Sequence, residues 1–261
     1  MDLGIGGKTA IVCASSGGLG RACAAHLAEA GCTVVVNGRD ADRLERTAAE
    51  LRERSGAQIV AVTGDVTEAN TRDALIGAAG GAADILVNNA GGPPLADFRD
   101  LSEQDIHAGL QSNMVTPIAM IQLVIGGMEE RGFGRILNIT SASVLTGIEK
   151  LDLSSGARAG LTAFLSGVAR QVAPRGVTIN NLLPGNFDTD RQASIIDRIA
   201  ENTGKSRDAV REQRATAQPV GRLGIPEEFG AACAFLASTH AGFITGQNLL
   251  LDGGAFTANF P

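Results

Sequence analysis

The stretch Thr9-Ala10-Ile11-Val12-Cys13-Ala14-Ser15-Ser16-Gly17-Gly18-Leu19-Gly20 starts as an apolar run, passes through small residues and opens into Arg21 to Ala30, a helix-forming segment. A buried strand delivered straight into a helix through small residues builds a phosphate cradle. The backbone can approach an anion closely there, and the helix N-terminus supplies unpaired N–H groups with a partial positive charge. A tight glycine turn is the plainer reading of Gly17 and Gly18 alone.

Outward from this unit the same rhythm repeats. Thr33–Asn37, Gln58–Val62, Asp84–Asn88, Arg135–Thr140, Thr178–Asn181 and Asn248–Leu251 read as further strands after Thr9–Ala14, separated by helical stretches such as Asp40–Arg54, which ends near Gly56. Alternation of this kind specifies parallel βαβ units, and near-continuous apolar strands imply a sheet covered on both faces. The expected fold is a single-domain α/β, Rossmann-type doubly wound parallel sheet of about seven strands over residues 1–261. The stretch 188–219 breaks the rhythm, being polar and helix-prone with weak apolar spacing. Placed after a strand's carboxyl end, it is expected to act as a substrate lid.

Composition narrows the function classes. The 261 residues carry a formal net charge of -6 with scattered basic residues, which excludes a broad phosphate-binding field and hence a nucleic-acid partner. Cys13, Cys23, Cys32 and Cys233 show no C-x-x-C spacing and sit among apolar or small residues, as buried reduced thiols do. Met1 to Lys8 lacks the marks of a signal peptide, and no window reads as the 18 apolar residues of a membrane span, so a cytoplasmic location is expected. Neither Trp nor Tyr occurs anywhere in the chain.

The glycine spacing resembles the G-x-x-x-G-x-G of short-chain dehydrogenases/reductases, with Ala14 in place of the first glycine and Gly18 and Gly20 matching the others. Further matches follow in order: Asp65-Val66, Asn88-Asn89-Ala90-Gly91, Asn113, Ser141, Pro184-Gly185, Thr189 and the run from Gly221 to Gly254. Gly221-Arg222-Leu223-Gly224-Ile225-Pro226-Glu227-Glu228-Phe229-Gly230 and Ile244-Thr245-Gly246-Gln247-Asn248-Leu249-Leu250-Leu251-Asp252-Gly253-Gly254 look most like the 3-oxoacyl-acyl-carrier-protein reductases.

That resemblance implies cofactor contacts at Ala14, Ser15, Ser16, Gly18, Leu19, Gly20, Arg39, Asp65, Val66, Asn89, Ala90, Gly91, Arg158, Pro184, Gly185 and Thr189. Cofactor choice rests on Val36-Asn37-Gly38-Arg39. An acid after the second strand would bind the ribose diol of NAD(H), whereas Gly38 followed by the guanidinium of Arg39 favours the 2′-phosphate of NADP(H).

The resemblance also implies a catalytic Asn, Ser, Tyr and Lys. Asn113 and Ser141 take the first two positions. Ala159-Gly160-Leu161 then fixes the frame, so that Ser154 stands for the tyrosine and Arg158 for the lysine. A serine hydroxyl is far less acidic than a phenol, and a guanidinium with a pKa above 12 is no ordinary proton relay. Lys150 and Ser143 are the candidate substitutes; His26, His107 and His240 are read as structural or surface residues.

Two functions follow: an NADP(H)-dependent oxidoreductase on a small carbonyl or alcohol with an atypical site, or a catalytically impaired dinucleotide-binding sensor or oligomer partner. A homotetramer or homodimer is expected through Ser155–Val172, a helix with broad apolar and small faces.

Overall fold

Local chemistry sets the element boundaries of the computed structural model, which describes residues 1–93 and 95–258. The strands are β1 (Thr9–Val12), β2 (Thr33–Gly38), β3 (Ile59–Thr63), β4 (Ile85–Asn88), β5 (Gly134–Ile139), β6 (Val177–Pro184) and β7 (Asn248–Leu251). The helices are α1 (Gly18–Glu29), α2 (Ala41–Ser55), α3 (Ala69–Ala78), α4 (Glu103–Leu110), α5 (Thr116–Arg131), α6 (Asp152–Val172), α7 (Asp190–Thr203), α8 (Arg207–Thr216) and α9 (Pro226–Ala237). Capping explains α2: the Asp40 carboxylate accepts from the Arg43 N–H, and Gly56 closes the helix at φ 67.

All seven strands run parallel in the order β3-β2-β1-β4-β5-β6-β7. Helices α1, α2 and α9 cover one face through Leu27, Leu44 and Phe229; α3, α5 and α6 cover the other through Leu75, Met120 and Leu161. The chain first moves outward from β1 to β3 and then crosses back to β4 on β1's other side. At that switch point the carboxyl ends of β1 and β4 diverge and leave a crevice.

Side-chain amides reinforce the sheet across that crevice's wall. Asn88 donates to the Asn138 Oδ1 at 3.0 Å, Asn138 to the Asn181 Oδ1 at 3.0 Å, and Asn181 to the Asn248 Oδ1 at 2.8 Å. The parallel register sets each pair side by side on adjacent strands. Buried amides at these positions are tolerated because each finds its partner one strand away.

Several expectations need correction. β1 stops at Val12 rather than Ala14, because Ala14 turns at φ 45; α1 begins at Gly18, not Arg21. β6 extends to Pro184 because β7 pairs with it as far as Leu251. The lid stretch is not weakly patterned: α7 buries Ile196 and α8 buries Val210. The helical stretch Glu103–Arg131 is long and apolar enough to cross a membrane, contrary to the sequence expectation. Its apolar residues serve the core instead, since Met120 and Met128 are fully buried.

Candidate cofactor and active site

The loop after β1 owes its shape to one strained residue and one buried amide. Ala14 holds a left-handed φ of 45, a conformation that favours glycine, where its family counterpart is glycine. Asn37 fixes the turn: its Oδ1 accepts from the Ala14 N–H at 3.2 Å, while its Nδ2 donates to the Val62 and Gly64 carbonyls. From the other side the Asn89 Nδ2 donates to the Ala14 carbonyl at 3.0 Å. A Cβ at Gly20 would meet that carbonyl at 2.5 Å and the Asn89 amide at 2.9 Å, so only glycine fits. Gly18 lies at φ 55 near Thr189, and a Cβ at Gly91 would meet open space. The cradle is closed around its own backbone and open toward the crevice, which suits a diphosphate.

The Ser15 side chain does not face that opening. Its Oγ donates to the Val12 carbonyl at 2.7 Å and accepts from the Asn37 N–H at 3.0 Å, leaving the residue fully buried. Of Ser15 only the backbone is left to face the crevice, because the hydroxyl is used inside the loop. Val66 is likewise buried in the core. Leu19, Ala90, Pro184, Gly185 and Thr189 lie half-buried along the carboxyl edge of the sheet.

Arg39 follows β2 with a side chain 79% exposed, its guanidinium 3.8 Å from the Asp65 carboxylate. Burial pulls the Asp65 carboxyl upward, but the Thr67 backbone and hydroxyl together with Arg39 outweigh it and hold the group below its ordinary value. Sequence reading missed Arg43, whose Nε donates to the Ser16 carbonyl at 3.0 Å and whose guanidinium pairs with Asp190. That guanidinium occupies the space a Gly17 side chain would take. Its position one turn into α2 from Arg39 was the available signal. A cleft of about 830 Å³ opens here, lined by Ser16, Gly17, Gly18, Arg43 and Thr189 among others; Asn113, Ser141, Ser154 and Arg158 do not line it.

At the other end of the crevice, α6 begins at Asp152 rather than Ser155, and this places Ser154 and Arg158 one turn apart on its inner face. The Arg158 Nε donates to the Ser154 Oγ at 3.2 Å, and Nη1 donates to the Ile139 carbonyl at 2.6 Å. Burial, followed by the nearby charge of Arg191, lowers the Arg158 guanidinium to about 10. The expected value above 12 is therefore corrected, though the group remains a cation at neutral pH.

Asn113 sits in a π-helical turn, Gln111–Val115, between α4 and α5. Such an inserted turn frequently marks a functional site. Its Nδ2 donates to Ser112 Oγ at 2.7 Å and to the Gly109 carbonyl at 3.3 Å, while its buried Oδ1 has no partner among the described residues. Ser141 caps the short turn Ala142–Val144 by accepting from the Ser143 N–H at 3.1 Å, and the buried Ser143 Oγ also lacks a partner. Buried polar atoms without partners are the exception in folded proteins and mark places for a water or a ligand.

Lys150 turns away from this chemistry: it is exposed at φ 64, with its ammonium 3.8 Å from Glu149. His107 faces Glu103, and His240 lies against the Asp2 carbonyl. All four cysteines are free and buried, with Cys13 pushed up to about 12 by burial.

Helices α7 and α8 are fastened to the strand ends. Arg211 pairs with Asp188, Arg214 donates to the Asn186 Oδ1 at 2.6 Å, and Arg191 reaches over the crevice to the Gly92 carbonyl at 3.2 Å.

Comparison with known proteins agrees with this fold. Residues 13–256 match the family described as Enoyl-(Acyl carrier protein) reductase. The chain is 34% identical over 259 residues to the 3-oxoacyl-[acyl-carrier-protein] reductase FabG of Vibrio harveyi, covering 96% of this chain and 98% of the relative. It is 31% identical over 252 residues to the NADPH-dependent reductase BacG of Bacillus subtilis (strain 168), covering 95% and 97%. Among solved structures, L-sorbose reductase from Gluconobacter frateurii, complexed with NADPH and L-sorbose, superposes with a TM-score of 0.94 at 27% identity, covering 99% and 100%.

Proposed function

The chain belongs to the short-chain dehydrogenase/reductase family, and from that premise we propose that it is an NADP(H)-dependent oxidoreductase of carbonyl or alcohol substrates, 3-oxoacyl reductase-like, with an altered proton-transfer site. The observation that carries this reading is the Gly18–Gly20 cradle at the switch point together with the exposed guanidinium of Arg39 after β2. Relatives described as NADPH-dependent support the cofactor.

In this reading Ser16, Gly18, Leu19 and Gly20 present backbone N–H groups to the diphosphate, and Ala14 and Ser15 hold the loop's shape. Arg39 takes the 2′-phosphate, with Arg43 as a second cation at the same edge. Asp65 and Val66 border the adenine; Asn89, Ala90 and Gly91 allow close approach at β4; Pro184, Gly185 and Thr189 close the crevice at β6. Arg158 holds the cofactor ribose. When bound, NADP(H) supplies or accepts the hydride. Asn113 and Ser141 orient a carbonyl and a water, and residues 188–219 form the lid over the substrate.

The site is atypical because Ser154 offers no phenol, and the chain contains no tyrosine to replace it. A proton must then reach the substrate oxygen through Ser141 and water, a weaker acid arrangement than a phenol beside an ammonium. The Ser143 hydroxyl, buried without a partner, is a second carrier of that proton. The buried free thiols suit a reducing, cytoplasmic compartment.

Assembly is proposed through α6 and its neighbour α5. Phe164 on α6 and Leu123 on α5 remain 49% and 45% exposed, an apolar surface that a second copy would cover.

The test is titration with NADPH and NADH, followed by NADPH oxidation over a carbonyl panel. NADPH binding with slow turnover supports the reading. Failure to bind NADPH overturns it, and tight binding with no turnover of any carbonyl assigns the sensor or oligomer-partner role instead.

A further inference from the structure

Two guanidinium groups, the buried Arg158 on α6 and the exposed Arg191 on α7, lack a carboxylate partner among the described residues. Arg158 is 8% exposed and spends Nε and Nη1 on Ser154 and the Ile139 carbonyl. Arg191, in the first turn of α7, spans the mouth to reach the Gly92 carbonyl at 3.2 Å and the Pro93 carbonyl at 3.4 Å. Carbonyl oxygens neutralise neither charge. Among the described residues, neither arginine has a carboxylate within 4 Å.

Three acids close in the chain are already engaged, while Asp152 at the solvent-exposed start of α6 makes no ion pair among the described residues. Asp190 pairs with Arg43, Asp188 with Arg211, and Glu149 with Lys150. The Arg191 charge is felt at Arg158, where it adds to the effect of burial. An anion bound by the exposed Arg191 would also offset the repulsion it exerts on the buried Arg158. Arg191 is also well placed to yield: its contacts to Gly92 and Pro93 are long, single bonds to neutral acceptors, whereas a carboxylate would offer its fork two short charged ones.

We propose that the substrate is a carbonyl compound bearing a carboxylate, which Arg191 binds bidentately between α7 and the loop after β4, and that it so selects oxo-acids over neutral ketones. This rests on the oxidoreductase reading above. Arg191 determines specificity in it, Arg158 supplies the second positive charge, and the carboxylate reaches the mouth while the carbonyl lies deeper, beside Asn113 and Ser141.

The experiment measures quenching of bound NADPH fluorescence by 4-oxopentanoate, by its methyl ester and by acetoacetyl-coenzyme A, with the parent, Arg191→Gln and Arg191→Lys. The acid is expected to act at roughly one tenth of the ester's concentration, one charged hydrogen-bonded contact being worth about a factor of ten. Arg191→Gln should bring the acid-to-ester ratio to about one, and Arg191→Lys should retain part of the preference. A ratio is insensitive to partial misfolding. Equal binding of acid and ester by a parent that binds NADPH overturns the proposal. So does a loss of NADPH affinity in Arg191→Gln equal to the loss for the acid, which would assign the cation to the cofactor's diphosphate. Arg191 dependence confined to acetoacetyl-coenzyme A overturns it too, assigning the cation to that molecule's phosphates. A parent that fails to bind NADPH removes the oxidoreductase reading itself, a distinct result.

Discussion

Arg158 donates its Nε–H to the Ser154 Oγ at 3.2 Å, one turn along α6, so the two residues proposed to stand at the family's lysine and tyrosine positions are joined to each other. The hydroxyl is held by a cation but is too weak an acid to exploit it. The double change Ser154→Tyr with Arg158→Lys should raise carbonyl reduction by roughly a hundred-fold, the lower end of general acid catalysis. Each single change should achieve less, since a phenol needs the adjacent cation to lower its pKa. NADPH oxidation by the parent, both single variants and the double variant decides this. A parent already as fast as the double variant would show that another group supplies the proton.

Cofactor preference should follow the guanidinium at the end of β2. Arg39 is largely exposed, with only Asp65 nearby, and is free to take a phosphate. Arg39→Ala is expected to weaken NADPH binding by about tenfold while leaving NADH nearly unchanged. Fluorescence titration with both cofactors provides the check, and equal losses for the two would remove the phosphate assignment.

The asparagine row should be a measurable part of stability. Replacing Asn138 with Leu leaves the Asn88 amide without its 3.0 Å acceptor and the Asn181 oxygen without its donor. The expected cost is about 1–3 kcal/mol, the usual penalty for a buried polar group stranded by loss of its partner. Urea unfolding of parent and variant would show it as a lower midpoint at constant slope.

Acid should weaken the start of α9. Hydrogen bonding by Arg222, followed by the Ile225 N–H, lowers the Glu228 carboxyl to about 2 from an ordinary 4.5. A depressed carboxylate pKa means stability that is present above the unfolded value and lost as pH falls through the folded one. Glu228→Gln should therefore cost stability at pH 7, and the difference should vanish between about pH 4.5 and 2. The pair is exposed, so the effect should stay below about 1 kcal/mol. Thermal melts of both proteins across that range test the sign; a gap that widens on acidification would contradict it.

Phe164 should be covered in solution. Light scattering of the parent should return a multiple of the 26.7 kDa chain mass, and Phe164→Asp should shift the population toward the monomer by burying a charge in an apolar contact.

The sequence alone determined the seven strand segments and the doubly wound class, whereas the frame proposed for Ser154 and Arg158 came from a family resemblance. The segments and the class depend on alternation, apolar runs and spacing, all of which are local. It also located the loop from Ala14 to Gly20, because a strand, small residues and a helix are adjacent in the chain. What it could not determine were the partnerships. Arg43 reaches Ser16 across 27 positions, Asn138 reaches Asn181 across 43 and Arg191 reaches Gly92 across 99. Parallel pairing and helix packing bring such residues together, and no local pattern encodes which carbonyl or amide will be opposite. The inward-facing Ser15 hydroxyl and the lowered pKa of Arg158 have the same origin. Orientation and desolvation are properties of the packed chain, decided only when the sheet, α6 and α7 pack together.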